Sequence, residues 1–170
     1  MTFMDTLHEE MLAMTKPQEF DAVISAPFGA IGIRVADDFL LRLELLPGNP
    51  GEKYSRQPFA QAVVRQLRQY LNDAGAKLDI ACAVQGTPFQ RRVWQAIAQI
   101  PVGTTITYSE LACRVGSGPR AVANACGANH VPLVIPCHRV VAKNGLGGFM
   151  QGEATGLAIK QWLLHHEQVL

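Results

Sequence analysis

The chain has 170 residues, 48% of them hydrophobic and 17% charged, with a formal net charge of +1. That composition excludes a disordered or low-complexity protein and suffices for one or two compact units with real cores. The near-neutral balance also excludes nucleic-acid binding through a global positive field, so any such binding rests on a local patch and a small footprint.

Phe3, Leu7, Met11 and Met14 recur at helical spacing and predict a short amphipathic helix near the start, its methionines serving packing. Strands follow: Ala22 to Ser25, a turn at Pro27-Phe28-Gly29, Ile31 to Val35, a turn at Asp37-Asp38, and the alternating Leu41-Arg42-Leu43-Glu44-Leu45. This is a β-meander. Phe59, Val63, Leu67, Tyr70 and Leu71 define a helix of about four turns, ended by Gly75, and Leu78 to Val84 predict one more strand. Residues 1–84 therefore read as an α/β, roll-like scaffold unit, and nothing in them resembles a catalytic constellation.

A second unit, residues 85–170, opens at Gly86. Thr87 can cap a helix, Pro88 suits its first position, and Gln90 has the capping-box spacing; Phe89, Val93, Ile97 and Ile100 form the stripe, ended by Pro101. Thr107-Tyr108-Ser109-Glu110 is a second capping box, opening a helix to about Val115. After Gly116-Ser117-Gly118, Pro119 starts another short helix rich in small residues (Ala121, Ala123, Ala125, Ala128). Two short helices joined by a glycine turn make a helix-turn-helix candidate, though core helical hairpins share the pattern. A helix faced with methyl groups can approach a narrow groove closely, and Arg120 sits near its start. Asn129 then leads into the apolar run Val131-Pro132-Leu133-Val134-Ile135, read as an extended segment that stops at Pro136. Lys143 to Gly148 is a turn, a loop runs to about Thr155, and a last helix carries Leu157, Trp162, Leu163 and Leu164 to about Glu167.

Chemistry concentrates in Val134-Ile135-Pro136-Cys137-His138-Arg139-Val140-Val141. The four cysteines (Cys82, Cys113, Cys126, Cys137) include no Cys-x-x-Cys pair, which is a poor zinc pattern and a poor disulfide framework, and fits a reducing cytosol. Only Cys137 has a histidine beside it. A free thiol, with a pKa of roughly 8.5, is mostly protonated near neutrality, so a nucleophilic cysteine needs a base or a positive field. His138 and Arg139 are candidates for both. The N-terminus is acidic (Asp5, Glu9, Glu10) and lacks a long apolar run, so neither a signal peptide nor a membrane span is expected, and the protein is expected in the cytoplasm.

Pro136 to Val140 reproduce Pro-Cys-His-Arg-Val, the signature pentapeptide of the O6-alkylguanine-DNA alkyltransferases (methylated-DNA–protein-cysteine methyltransferases), and the resemblance extends over roughly Gly86 to Glu167. It implies direct, irreversible repair of O6-alkylguanine in double-stranded DNA, with O4-alkylthymine as a second candidate lesion. The nucleotide is flipped out of the duplex and the alkyl group passes to the protein's own cysteine, with no metal or other cofactor. By this resemblance Cys137 is the alkyl acceptor, His138 takes its proton through a water, and Glu167 orients and charges His138. Asn129 joins the recognition helix to the cysteine, Arg120 replaces the flipped base, and Ala121, Ala123, Asn124 and Gly127 share the DNA-facing helix. Tyr108 presses on the target phosphate and protonates the departing guanine. The Val140 carbonyl accepts from the guanine amino group, Pro132 and Phe149 line the substrate pocket, and Lys160 holds the region together.

The chain departs from the family pattern at Phe149, where a tyrosine is usual, in a longer segment after it (Gln151 to Thr155), and in a shorter turn before Arg120. A monomer is expected, with cooperative binding along DNA left open. Three other readings stay on the table. A non-catalytic damage-binding relative would lack the acceptor cysteine. A helix-turn-helix regulator sensing alkylation or oxidation would bring a fused domain or a strongly basic recognition helix. A cysteine hydrolase would need an oxyanion hole.

Overall fold

The computed structural model describes residues 19–83, 85–149 and 154–170. The helix expected from Phe3, Leu7, Met11 and Met14, and the loop residues Met150, Gln151 and Glu153, lie outside the described residues.

The expected meander forms an antiparallel sheet in the order β1 (Ala22–Ala26), β2 (Gly29–Ala36), β3 (Phe39–Leu46), with Ile24 opposite Ile31 and Ile33 opposite Leu43. A bulge between Arg34 and Val35 shifts the register. Helix α1 (Pro58–Asn72) lays Ala60, Val63, Leu67 and Tyr70 on β1 and β2. Four apolar positions at helical spacing are what such a docked face requires, and removing one side chain, as in Leu67→Ala, costs about 2–5 kcal/mol in a well-packed site. The helix stops at Asn72 rather than at Gly75, because the Asp73 carboxylate accepts from the Gly75 N–H and turns the chain first.

Residues 78–83 do not extend the sheet as a strand. They join β3 through a single backbone bridge between Leu40 and Cys82, with Leu40 N–H donating to Ala81 O and Ala83 N–H to Leu40 O.

Both capping boxes form. Thr87 opens α2 (Pro88–Ala98) with Gln90, and Thr107 opens α3 (Tyr108–Val115) with Glu110. Gly116, at φ 67°, ends α3 in the left-handed conformation that a non-glycine residue adopts at a cost, and Ser117 N–H reaches back to Ala112 O. That turn aims α4 (Pro119–Gly127) across α2 and α3. Trp94 of α2 then pins α4 by donating its indole N–H to Ala125 O at 2.8 Å.

Two short parallel strands, β4 (Ile106–Thr107) and β5 (Val140–Val141), set the start of α3 beside the chain that leaves the cysteine. Helix α5 (Ala154–His166) closes the molecule. Most buried side chains of the described residues form one continuous cluster from Ala22 through Val93, Leu111 and Val140 to Leu163, with Phe20, Val23 and Ala30 in a smaller second one, and Leu43 N–H donates to His130 O. The sheet and α1 are thus packed directly against the elements that carry Cys137. The architecture is mixed α/β, a meander and helix followed by a mainly helical part with a helix-turn-helix, as the sequence predicts.

Candidate active site around Cys137

The segment before Cys137 is not extended. Pro132 and Ile135 close a turn through a β-bridge, and Leu133 sits at φ 74°. The reason is Asn129. Its Oδ1 accepts from Val131 N–H at 3.0 Å and its Nδ2 donates to Ile135 O at 2.8 Å, so a side chain supplies the partners that a neighbouring strand would otherwise have given. Pro136 then leads into a single 3-10 turn, Cys137–Arg139, which turns both Cys137 and His138 inward.

The same Asn129 Nδ2 lies 2.9 Å from Cys137 Sγ, and the thiol is 3.6 Å from the carbonyl of Cys126 on α4. Cys137 is only 5% exposed. Its pKa is pushed well above the thiol range, first by the hydrogen-bonded Cys126 side chain and then by burial, while the Asn129 amide and the Lys160 ammonium pull it back. Cys126 is moved downward by the same bond. A buried thiol in this state becomes a nucleophile only with a base at hand.

His138 provides one. Its Nε2 faces both carboxylate oxygens of Glu167 at 3.0 and 2.9 Å, and its buried Nδ1 has no hydrogen-bond partner among the described residues. Burial holds the ring's pKa below the usual histidine value, more strongly than Glu167 raises it. The ring is therefore neutral at pH 7, with its proton on Nε2 facing the carboxylate and a free lone pair on Nδ1. Burial would raise Glu167, but hydrogen bonds from His138 and Arg139 outweigh it and hold the carboxyl at about 2. The cation that balances Glu167 is thus Arg139, which donates from Nε and Nη2 while its Nη1 donates to Ile100 O at 2.7 Å. Tyr70 of α1 adds a hydroxyl 3.2 Å from Oε1.

On the other side, Lys160 is fully buried and donates to Val140 O at 2.7 Å and to Gly148 O at 3.0 Å. Burial lowers its pKa to about 8. Tyr108 donates its hydroxyl to Gly148 O at 3.2 Å, and burial, with Cys126 and Cys137 nearby, raises it to about 12. Gly147 passes directly beneath that ring at φ 74°, where an added Cβ would meet Tyr108 Cε2 at 2.8 Å. The Lys160 ammonium is 5.9 Å from the ring centres of both Tyr108 and Phe149. Val140 O keeps a second lone pair for another donor.

Cys137, His138, Glu167, Asn129, Tyr108, Val140, Phe149 and Lys160 thus converge from five chain segments. Pro132 stands apart in the preceding turn, half-buried. Arg120, Asn124 and Gly127 project outward on α4, flanked by half-buried Ala121 and Ala123, while Val122 and Ala125 face the core. A Cβ added at Gly127 would meet nothing within 4 Å, so this face is open to close approach. Sequence reasoning missed Cys126, the clamp of Arg139 on Glu167, and Tyr70. The signal for Tyr70 was available: a hydroxyl on an otherwise apolar helical stripe must find a buried partner.

Residues 88–169 match the family profile described as 6-O-methylguanine DNA methyltransferase, DNA binding domain. The chain is 50% identical over 99 residues to a probable methylated-DNA–protein-cysteine methyltransferase of Acanthamoeba polyphaga mimivirus, spanning 57% of this chain and 62% of the viral protein. It is 35% identical over 153 residues to the methylated-DNA–protein-cysteine methyltransferase of Methanosarcina barkeri, spanning 86% of this chain and 95% of that one. The crystal structure of Mycobacterium tuberculosis O6-methylguanine methyltransferase superposes with a TM-score of 0.70 at 31% identity, covering 86% of this chain and 90% of that chain. The crystal structure of M. tuberculosis OGT in complex with DNA gives a TM-score of 0.69 at 34% identity, covering 86% of this chain and 91% of that chain. A shared fold, a matched DNA-binding profile and an archaeal relative covered almost end to end establish that this chain belongs to the methylated-DNA–protein-cysteine methyltransferase family.

Proposed function

We propose that the protein repairs DNA by moving the alkyl group of an O6-alkylguanine irreversibly onto Cys137, once per molecule. The observation that carries this reading is a buried thiol contacted by an amide donor (Asn129) and followed, in the same 3-10 turn, by a histidine whose Nε2 faces a clamped carboxylate (Glu167) and whose Nδ1 has no partner among the described residues. The names and complexes of the relatives support DNA as the partner.

In the proposed reaction α4 lies against the duplex, Arg120 takes the space of the flipped nucleotide, and Gly127 lets the backbone approach closely. His138 Nδ1 accepts the Cys137 proton through a bridging water. The sulfur attacks the alkyl carbon in line, a carbon–sulfur bond forms, and the carbon–O6 bond breaks with its electron pair passing to the guanine. Tyr108, which keeps its proton far above neutral pH, turns its single O–H from Gly148 O to the guanine and stabilises the departing anion, and the second lone pair of Val140 O is open to the guanine amino group. The thioether has no route back, because a neutral thioether is a poor leaving group for the reverse displacement. We assign residues 85–170 to DNA binding and transfer, residues 1–84 to support, and the protein to the cytoplasm as a monomer.

Stoichiometry tests this reading. A duplex carrying a radiolabelled O6-methyl group is expected to load the protein to one equivalent and no further, however much duplex is added. Multiple turnovers, or lesion-selective binding with no label transferred, would contradict it.

A further inference from the structure

Glu167 lies just beyond the end of α5, yet it is held from α1, 97 positions earlier in the chain. Tyr70 is the last buried residue of the α1 stripe, 2% exposed, and its hydroxyl is 3.2 Å from Glu167 Oε1. A second tie runs beside it. The Tyr70 carbonyl accepts from His166 Nε2 at 2.6 Å, the two rings meet edge to face at 5.2 Å, and Trp162 stacks on His166 at 4.7 Å. An ionised carboxylate has about four lone-pair sites. His138 Nε2, Arg139 Nε and Arg139 Nη2 approach Glu167, and the Tyr70 hydroxyl completes the set.

We infer that Tyr70 is a positioning residue of the transfer reaction: from α1 it donates to Glu167 and fixes the carboxylate against His138, so the N-terminal segment completes the active site. The inference rests on the alkyl-transfer reading above. Burial drives the Tyr70 hydroxyl far above the phenol range, with Glu167 adding to the shift, so the group is only ever a donor to the carboxylate. Two consequences follow. The carboxylate cannot turn away from the imidazole, and part of its basicity is spent on Tyr70 rather than on His138. The charged and titratable groups around this chain are Glu167, Arg139 and Lys160 at His138, His138 and Arg139 at Glu167, and Arg139 and His166 at Tyr70.

Tyr70→Phe keeps the ring and removes the hydroxyl. In single-turnover transfer from an O6-methylguanine duplex, followed against pH, the variant is expected to show a plateau about tenfold lower, as the loss of one hydrogen bond to a charged group implies. Its lower midpoint should move upward, because a more basic Glu167 raises the proton affinity of His138. Affinity for the duplex should stay unchanged. Tyrosine replaced at position 70 by 3,5-difluorotyrosine, a stronger donor, should move the midpoint downward. A Tyr70→Phe midpoint equal to that of the wild type, or a loss uniform across pH and accompanied by loss of DNA binding, overturns the inference. If Tyr70→Phe fails to fold, the fluorinated protein decides alone, and an unmoved midpoint there overturns it. Absence of transfer by the wild-type protein in the same assay would instead overturn the functional reading.

Discussion

Asn129 joins the turn before Cys137 to the thiol itself, and Asn129→Ala removes three contacts at once. Two are structural: Val131 N–H loses its acceptor at 3.0 Å, and Ile135 O loses one of two donors, at 2.8 Å, keeping the Cys137 N–H. An unsatisfied buried backbone group costs about 1–3 kcal/mol, and this segment is only partly buried, so a combined loss of about 3 kcal/mol is expected in a denaturant melt. The third contact is chemical. Nδ2 lies 2.9 Å from Cys137 Sγ and is among the groups that lower its pKa. A hydrogen bond to a charged group is worth about 1.5–3 kcal/mol, so its loss pushes the thiol further up and slows transfer about 10- to 100-fold near neutral pH. Asn129→Asp separates the two effects. It keeps the acceptor for Val131 N–H but sets a negative charge beside the sulfur, so it should be more stable than the alanine variant and slower in transfer. Single-turnover rates across pH, measured below each variant's unfolding point, give the result. Asn129→Ala transferring within twofold of wild type, with an unshifted pH profile, would refute the role given to Nδ2.

Three further outcomes follow from the geometry. Gly147→Ala sets a Cβ against Tyr108 at 2.8 Å and forces a positive φ on a non-glycine residue, so it should cost about 1–3 kcal/mol in a thermal melt and slow transfer by displacing Tyr108. Glu167 has its pKa lowered from 4.5 to about 2, so its contribution to stability, about 3 kcal/mol, is present above pH 4.5 and lost as pH falls from there towards 2; acid titration of Glu167→Gln should lack that component and start from a less stable neutral form. Arg120→Ala, which alters an exposed side chain on α4, should weaken duplex binding and slow repair in DNA while leaving transfer from the free O6-alkylguanine base unchanged; an equal loss on both substrates would place Arg120 in the chemistry instead.

The readable parts of this fold are those in which local chemistry and periodicity agree. The alternation around Leu41 to Leu45, the four-residue stripe of α1 and the two threonine capping boxes each specify an element from neighbours in sequence, and each forms. The turn at residues 132–135 was not readable in that way. Its apolar run has the composition of a strand, and what bends it is the carboxamide of Asn129 competing for two backbone groups. Residues 78–83 fail as a strand for a related reason, since they meet β3 through one bridge rather than a ladder. In the site, the pentapeptide identifies the cysteine and the histidine at once, whereas Glu167 reaches them from 29 positions further along the chain. Tyr70 and Cys126 belong to no motif, and only the packing of α1 and α4 brings them to the reacting groups.

Intact-protein mass spectrometry after incubation with a duplex containing one O6-methylguanine tests the central claim most directly, with Cys137→Ser as the control. The account expects the mass to rise by one methylene, the modification to map to Cys137, and the control to stay unmodified. An unchanged mass in the wild-type protein, or a methyl group found on Cys126 or any other residue, would contradict it.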